Sequence, residues 1–204
     1  MNTIMRGQGR TVWAAVRAMA LFTVLLGIGY TGAITLVGQV ALGEQAGGSL
    51  RSTASGEVVG SALIGQSFSD ATGDPLAWYF QPRPSAAGSG YDAAASSGSN
   101  LGPENDELVA AIADRQARIA AREGVAPDEV PADAVTASAS GLDPHISEAY
   151  AELQVERVAA ARNLPADVVR ELVAENTHGR FLGYLGEPTV NVLTLNIALD
   201  DRRE

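Results

Sequence analysis

Residues 18–42 read AMALFTVLLGIGYTGAITLVGQVAL, 25 residues without a charge. As a helix this stretch spans about 37 Å at 1.5 Å per residue, against a hydrocarbon core of roughly 30 Å, so it crosses a bilayer once with some tilt. It is too long for the apolar core of a secretory signal. The nearest cleavage-like stretch, Val40-Ala41-Leu42-Gly43, has Leu where a small residue belongs. A buried helix of a soluble protein rarely runs this far uncharged. Arg6, Arg10 and Arg17 precede the span with no acid among them, and Glu44, Arg51 and Glu57 follow it. Positive charge stays on the cytoplasmic side. The expectation is therefore a cytoplasmic N-terminus (1–17), a transmembrane helix (18–42), a linker (43–57) and an extracytoplasmic domain (58–204), held in the plasma (inner) membrane.

The span is more than a greasy rod. Gly27, Gly29, Gly32 and Gly38 lie inside it, and Gly29 with Ala33 forms a small-xxx-small pair of the kind that admits a second helix. Tyr30 adds a polar group that seeks a partner in lipid. Gly29, Tyr30 and Ala33 are the candidate packing residues.

Composition narrows the rest. The chain has 204 residues, no Cys and no Lys, so thiolate metal sites, disulfides and a complete Walker A loop are absent. Beyond residue 42, 11 Arg face 24 acids, a net charge of −13. So acidic a domain does not hold nucleic acid through its phosphates; the acidity serves solubility, and it also suits the attraction of small cations. The only two histidines, His145 and His178, do not make a metal site, and no Gly-x-Ser-x-Gly elbow accompanies the serines. No catalytic residues are assigned, and no tightly bound cofactor is expected.

Outward from the span, Val58–Phe68 (VVGSALIGQSF) and Ala77–Gln81 (AWYFQ) read as strands, the second stopped by Pro82-Arg83-Pro84. Residues 85–103 read as a long Ser/Gly/Ala loop. A helix is expected from near Pro103 to Gly124, with acids at its start and Arg115, Arg118 and Arg122 towards its end. Val135–Ser138 reads as extended. Asp143-Pro144 reads as the cap and first turn of a second helix that stops at Asn163, and Leu164-Pro165 opens a third. Leu182–Leu185 reads as a short strand. Thr189–Leu199 alternates Leu193, Leu195, Ile197 and Leu199 with smaller residues, a strand pattern, and the tail 200–204 reads as solvated. The whole is α+β: one N-terminal transmembrane helix, then a single domain of about three helices on a small sheet pairing the first and last strands.

Ser97-x-Ser-x-Leu-x-Pro103 echoes Ser138-x-Ser-x-Leu-x-Pro144. Small hydroxyl residues before a helix suit an anion, though they equally suit a turn.

GSALIGQSF (60–68), YFQPRPSAAG (79–88), SNLGP (99–103), VTASASGLDPHIS (135–147), RVAAARNLP (157–165) and VNVLTLNIALD (190–200), in this order after one apolar span, resemble the KdpC family. These are the C subunits of the bacterial high-affinity potassium pump, a P-type ATPase. The resemblance implies a non-catalytic subunit of an ATP-driven potassium uptake complex. The implied partners are a channel-like potassium-translocating subunit, an ATP-hydrolysing subunit and a small stabilising membrane subunit. The family is described as a catalytic chaperone that raises the affinity of the ATPase subunit for ATP through a ternary complex with nucleotide. On that description Ser99, Asn100, Ser138, Ser140, Gly141, Asp143, His145 and Gln154 are the candidate nucleotide or partner contacts. The charge asymmetry across the span puts these residues outside, away from cytoplasmic ATP. It favours a cap on the external mouth of the potassium-translocating subunit, with any effect on ATP affinity indirect. The alternative is a membrane-anchored external binding or structural domain unrelated to ion transport.

Overall fold

The computed structural model describes the backbone of residues 3–202. The chain divides into two compact units, meeting between Ser49 and Leu50.

The first unit is helical: α1 (Thr3–Phe22), a π-helical stretch (Thr23–Tyr30), α2 (Thr31–Ala41) and a short α3 (Gly43–Ala46). Gly9–Ala41 is one continuous helical run, apolar and long enough to cross a membrane. At about 1.5 Å per residue its 33 residues exceed the roughly 30 Å apolar core. The helix thus begins before Ala18 because the Arg-bearing segment continues it. There the Arg17 guanidinium lies over the Trp13 ring, 5.8 Å from its centroid, the pairing of aromatic and long cation that suits a membrane interface.

The second unit is α+β. It holds β1 (Leu50–Ser52), β2 (Val58–Ser61), α4 (Asp106–Glu123), α5 (Ala132–Val135), β3 (His145–Ile146), α6 (Glu148–Arg162), α7 (Ala166–Glu175), β4 (Thr177–His178), β5 (Thr189–Asn191) and α8 (Val192–Asp201). α6 is its centre. Tyr150, Ala151, Val155, Val158 and Ala159 are all buried, with α7 and α4 packed against it. Caps set the helix limits. The Asn105 side chain accepts from Glu107 and Leu108 N–H, and Gly124 closes α4 with φ +73°. Ser147 Oγ accepts from Tyr150 N–H at 3.0 Å, so α6 begins at Glu148, and Asn163 ends it with φ +55°. The expected cap at Asp143-Pro144 is displaced because the residues after it pair as β3.

Several expectations of secondary structure fail, and of the strand read over Val58–Phe68 only Val58–Ser61 is one. The first and last strands do not share a sheet. β1 lies within the stretch read as a linker and pairs antiparallel with β2, with a bulge at Arg51/Ser52, while a separate antiparallel sheet runs β3-β5-β4. Ile146 and Thr177 both face Val190 across β5. Residues 192–199 are helix, not strand. Asn191 accepts from Thr194 N–H as N-cap, and buried Val192, Leu195, Asn196 and Leu199 are spaced i, i+3, i+4, i+7. Val135 closes α5 instead of opening an extended stretch, and Thr136 after it is extended. Leu182–Leu185 is a turn, closed by a Phe181–Leu185 bridge and exposing Phe181, Leu182 and Tyr184. Leu182 takes a positive φ there.

The AWYFQ segment is no strand: Ala77 and Trp78 form a turn, closed by Tyr79 N–H donating to Leu76 O at 3.2 Å, and Phe80 and Gln81 follow it. Their ladder partners are side chains. Phe80 N–H donates to Asn196 Oδ1 (2.9 Å) and Asn196 Nδ2 to Phe80 O (3.0 Å). Gln81 N–H donates to Gln154 Oε1 (2.7 Å) and Gln154 Nε2 to Gln81 O (3.2 Å). Two amide side chains, one from α6 and one from α8, thus imitate a neighbouring strand, as a buried backbone requires. Arg162, its side chain fully buried, adds Nε to Trp78 O (2.6 Å), Nη1 to Leu199 O (3.0 Å) and Nη2 to Asp200 Oδ1 (2.9 Å). Asp200 also accepts from the Tyr79 hydroxyl at 2.8 Å. Asp200, read as part of a solvated tail, is therefore a structural partner; residues 203–204 of that tail lie outside the described residues.

Candidate functional site

The two Ser-rich stretches do come together. Ser97 N–H and Ser96 Oγ both donate to Ser140 O, at 3.0 and 2.9 Å, and Gly98 packs so tightly on Ala139 that a Cβ would lie 2.9 Å from its carbonyl oxygen. The echo is thus a pair of segments that touch. They are not one device used twice: the first leads to the α4 cap, the second into β3.

Beneath this junction the chain is crowded. Ser85 Oγ donates to Gly141 O at 2.6 Å and accepts from Tyr91 N–H at 2.8 Å. Gly141 has φ +69°, and a Cβ there would stand 2.7 Å from both Ala87 N and Ser97 O, which only glycine tolerates. Ser138 is buried, its N–H directed to Pro84 O. The Tyr91 hydroxyl donates to Arg83 O. Burial pushes that phenol well above its ordinary range.

Asp143 is the charged centre of the junction. Its Oδ2 accepts from Arg83 Nη1 at 3.1 Å, and its Oδ1 accepts from His145 N–H at 3.0 Å and lies 3.3 Å from His145 Nδ1. Burial alone would raise this carboxyl; the His145 hydrogen bonds and the Arg83 charge outweigh it and hold it below the usual carboxylate range. The His145 and His178 rings sit edge to face with centroids 6.4 Å apart. Among the described residues no group of His and acids is arranged to hold a metal.

The eight candidate contacts therefore separate. Ser138, Gly141, Asp143 and His145 are joined through one stretch of backbone and its partners. Ser140, Ser99 and Asn100 are exposed on its rim, Asn100 in the left-handed region and donating to Gly98 O. Gln154 is elsewhere. It is wholly buried, and its amide bonds Gln81 N–H and O, Tyr150 O and Arg157 Nη2. A buried network that sequence reasoning missed surrounds it. Glu123, its side chain inaccessible, takes both Arg122 Nε (2.7 Å) and Arg157 Nε (2.9 Å to Oε2). The one available signal was the Glu123 and Arg157 charges near buried helix faces. Gly29 and Tyr30 fall in the π-helical stretch and Ala33 in α2, all exposed on the first unit.

Residues 12–201 match the family model for the c chain of the K+-transporting ATPase, KdpC. A potassium-transporting ATPase KdpC subunit of Mycobacterium tuberculosis (strain H37Rv) is 51% identical over 192 residues, 94% of this chain and 98% of that protein. The subunit of that name from Caulobacter vibrioides (strain NA1000) is 53% identical over 189 residues, 92% of this chain and 91% of its own length. The one from Beijerinckia indica is 51% identical over 185 residues, 91% and 90% of the two chains. With a family model spanning most of its length and such relatives covered nearly end to end, the chain belongs to the KdpC family, the c chains of the K+-transporting ATPase.

Proposed function

We propose that this protein is the non-catalytic accessory subunit of an ATP-driven potassium uptake pump. It is anchored by its single span, and its α+β domain is extracytoplasmic, covering the outer mouth of the potassium-translocating subunit. The observation that carries the external placement is the charge asymmetry of the span: Arg10 and Arg17 lie at its N-terminal end with Arg6 before them, and a domain of net charge −13 follows. The family supports the pump. The acidic surface supports a role in raising local cation concentration at that mouth. The remaining partners are the ATP-hydrolysing subunit and a small stabilising membrane subunit.

ATP affinity rises indirectly on this reading, through coupled conformations of the assembly. Two features support an indirect route. The Gln154 amide is spent on the Gln81 backbone, and the Ser138–Gly141 stretch is spent on Ser85, Ser96 and Ser97. The steering part is tested on the purified complex. Asp and Glu on the exposed faces of α4 and α7 are changed to Asn and Gln, and potassium-stimulated ATPase is measured at low and high ionic strength. The apparent KM for potassium rises at low ionic strength and converges with wild type at high salt, because the effect is screened over about 10 Å at 0.1 M. An unchanged KM at both removes steering and leaves assembly alone. An unrelated external domain would not co-purify with a P-type ATPase at all.

A further inference from the structure

One cleft of the second unit contradicts its overall charge. Arg115, Arg118 and Arg122 stand at i, i+3 and i+7 along α4, on one face of the helix. They form a wall of an open cleft of about 370 Å³, within the size range of small-molecule sites. Ser67, Ser69, Tyr91 and Tyr150 bring hydroxyl-bearing side chains to the same lining. Asp74 is the one acid in the lining, and its Oδ2 already accepts from Thr72 Oγ1. Three cations against one acid, in a domain where acids outnumber Arg two to one, is a local reversal of sign.

The Arg donors are mostly unspent. Arg115 Nη1 donates to Val135 O at 3.0 Å, Arg118 Nη2 to Asp114 at 2.7 Å, and Arg122 Nε to Glu123 at 2.7 Å. Each guanidinium carries five N–H donors. Arg122 Nη2 is buried and has no hydrogen-bond partner among the described residues, a state that costs the full desolvation of a donor. Burial raises the Tyr150 phenol against the Arg122 guanidinium that interacts with it, so it stands in the wall as a neutral hydroxyl beside that cation. Forked cations and hydroxyls lining one cleft match the oxygens of a phosphate group.

We propose that this cleft binds a phosphate-type oxyanion, held by Arg115, Arg118 and Arg122 with Ser67 and Ser69 as further donors. Tyr91 of the 85–103 loop lines it, but none of the eight candidate contacts does, and the site stands whether or not the domain steers potassium. The group arrives either as free phosphate or as the headgroup of an anionic lipid.

The test is isothermal titration calorimetry on the purified full chain, with inorganic phosphate and with a short-chain phosphatidylglycerol, both against NaCl at matched ionic strength. Saturable binding of phosphate supports the site and names a free anion; saturable binding of the lipid alone supports it and names a headgroup. Arg118 is largely exposed, so Arg118→Gln leaves thermal unfolding unchanged. It weakens binding about tenfold through one lost charge-assisted contact, and Arg115→Gln/Arg118→Gln abolishes it. No saturable heat with either probe beyond NaCl overturns the proposal, as does wild-type binding by the double variant.

Discussion

Gln154 shows how one residue type supports opposite readings. A glutamine on a helix after a Ser-rich loop suits a ribose or phosphate contact, yet this one is a structural clamp. Its removal strands the Gln81 N–H and C=O in the core, each at a cost of about 1–3 kcal/mol. Gln154→Leu is therefore expected to lower unfolding free energy by about 2–5 kcal/mol in urea titration. Asn196→Leu, which strands the Phe80 groups in the same way, is expected to match it; near-wild-type stability in both would refute the clamp. Gly141→Ala meets Ala87 N and Ser97 O at 2.7 Å in a positive-φ position, so a loss of more than about 2 kcal/mol is expected, read from the same titration. Asp143 makes stability depend on pH. Its folded pKa is depressed, so its stabilising contribution is complete above the unfolded value of about 3.9 and is lost as pH falls through the lower folded value. Asp143→Asn should flatten the acid limb of a stability–pH curve below about pH 4, and an unaltered limb would show that the Arg83 and His145 contacts contribute nothing.

At the scale of elements, legibility follows caps and periods. α4 and α7 were readable because the acids at the start of α4, its terminal Gly124 and the Leu164-Pro165 opening of α7 act locally. The α6 stop at Asn163 was readable for the same reason. α8 was misread because VLTLNIAL fits two periods at once: alternate Leu and Ile suggest a strand, while Val192, Leu195, Asn196 and Leu199 make a helical stripe. The Asn191 cap and the pull of Phe80 on Asn196 decide for the helix. AWYFQ was read as a strand but opens in a turn, and the partners of Gln81 and Phe80 are 73 and 116 residues away and are side chains, which no local pattern discloses. The apolar span was evident; its π-helical stretch was not. There Thr31 Oγ1 donates to Leu26 O, five residues back, at 3.1 Å, and Gly27 and Gly29 ease the wider turn. Such stretches often sit at functional places in helices. Gly29→Leu is expected to impair co-purification of the subunit with its membrane partners, by blocking close approach of another helix. Retention equal to wild type would show that this face packs only on lipid.

For the whole molecule, charge is the organising quantity. Arg gathers before the span, acid outnumbers Arg in the domain after it, and three Arg line one cleft along α4. The candidate site was half legible. The Ser-rich stretches were picked out by their shared pattern and Asp143 and His145 by the family resemblance, but that they lie against each other, and that Gln154 lies away from them, depends on tertiary packing. The external placement of the domain decides between an indirect and a direct link to ATP, and the absence of native Cys makes it accessible. Single cysteines at Ser99 and Ser140, both exposed, are to be probed in intact cells with a membrane-impermeant maleimide. Labelling of both without lysis is the expected result, and it leaves the capping and assembly role. Protection in intact cells with labelling only after lysis would contradict the charge-based topology and return Ser99, Asn100 and Ser140 to direct contact with nucleotide.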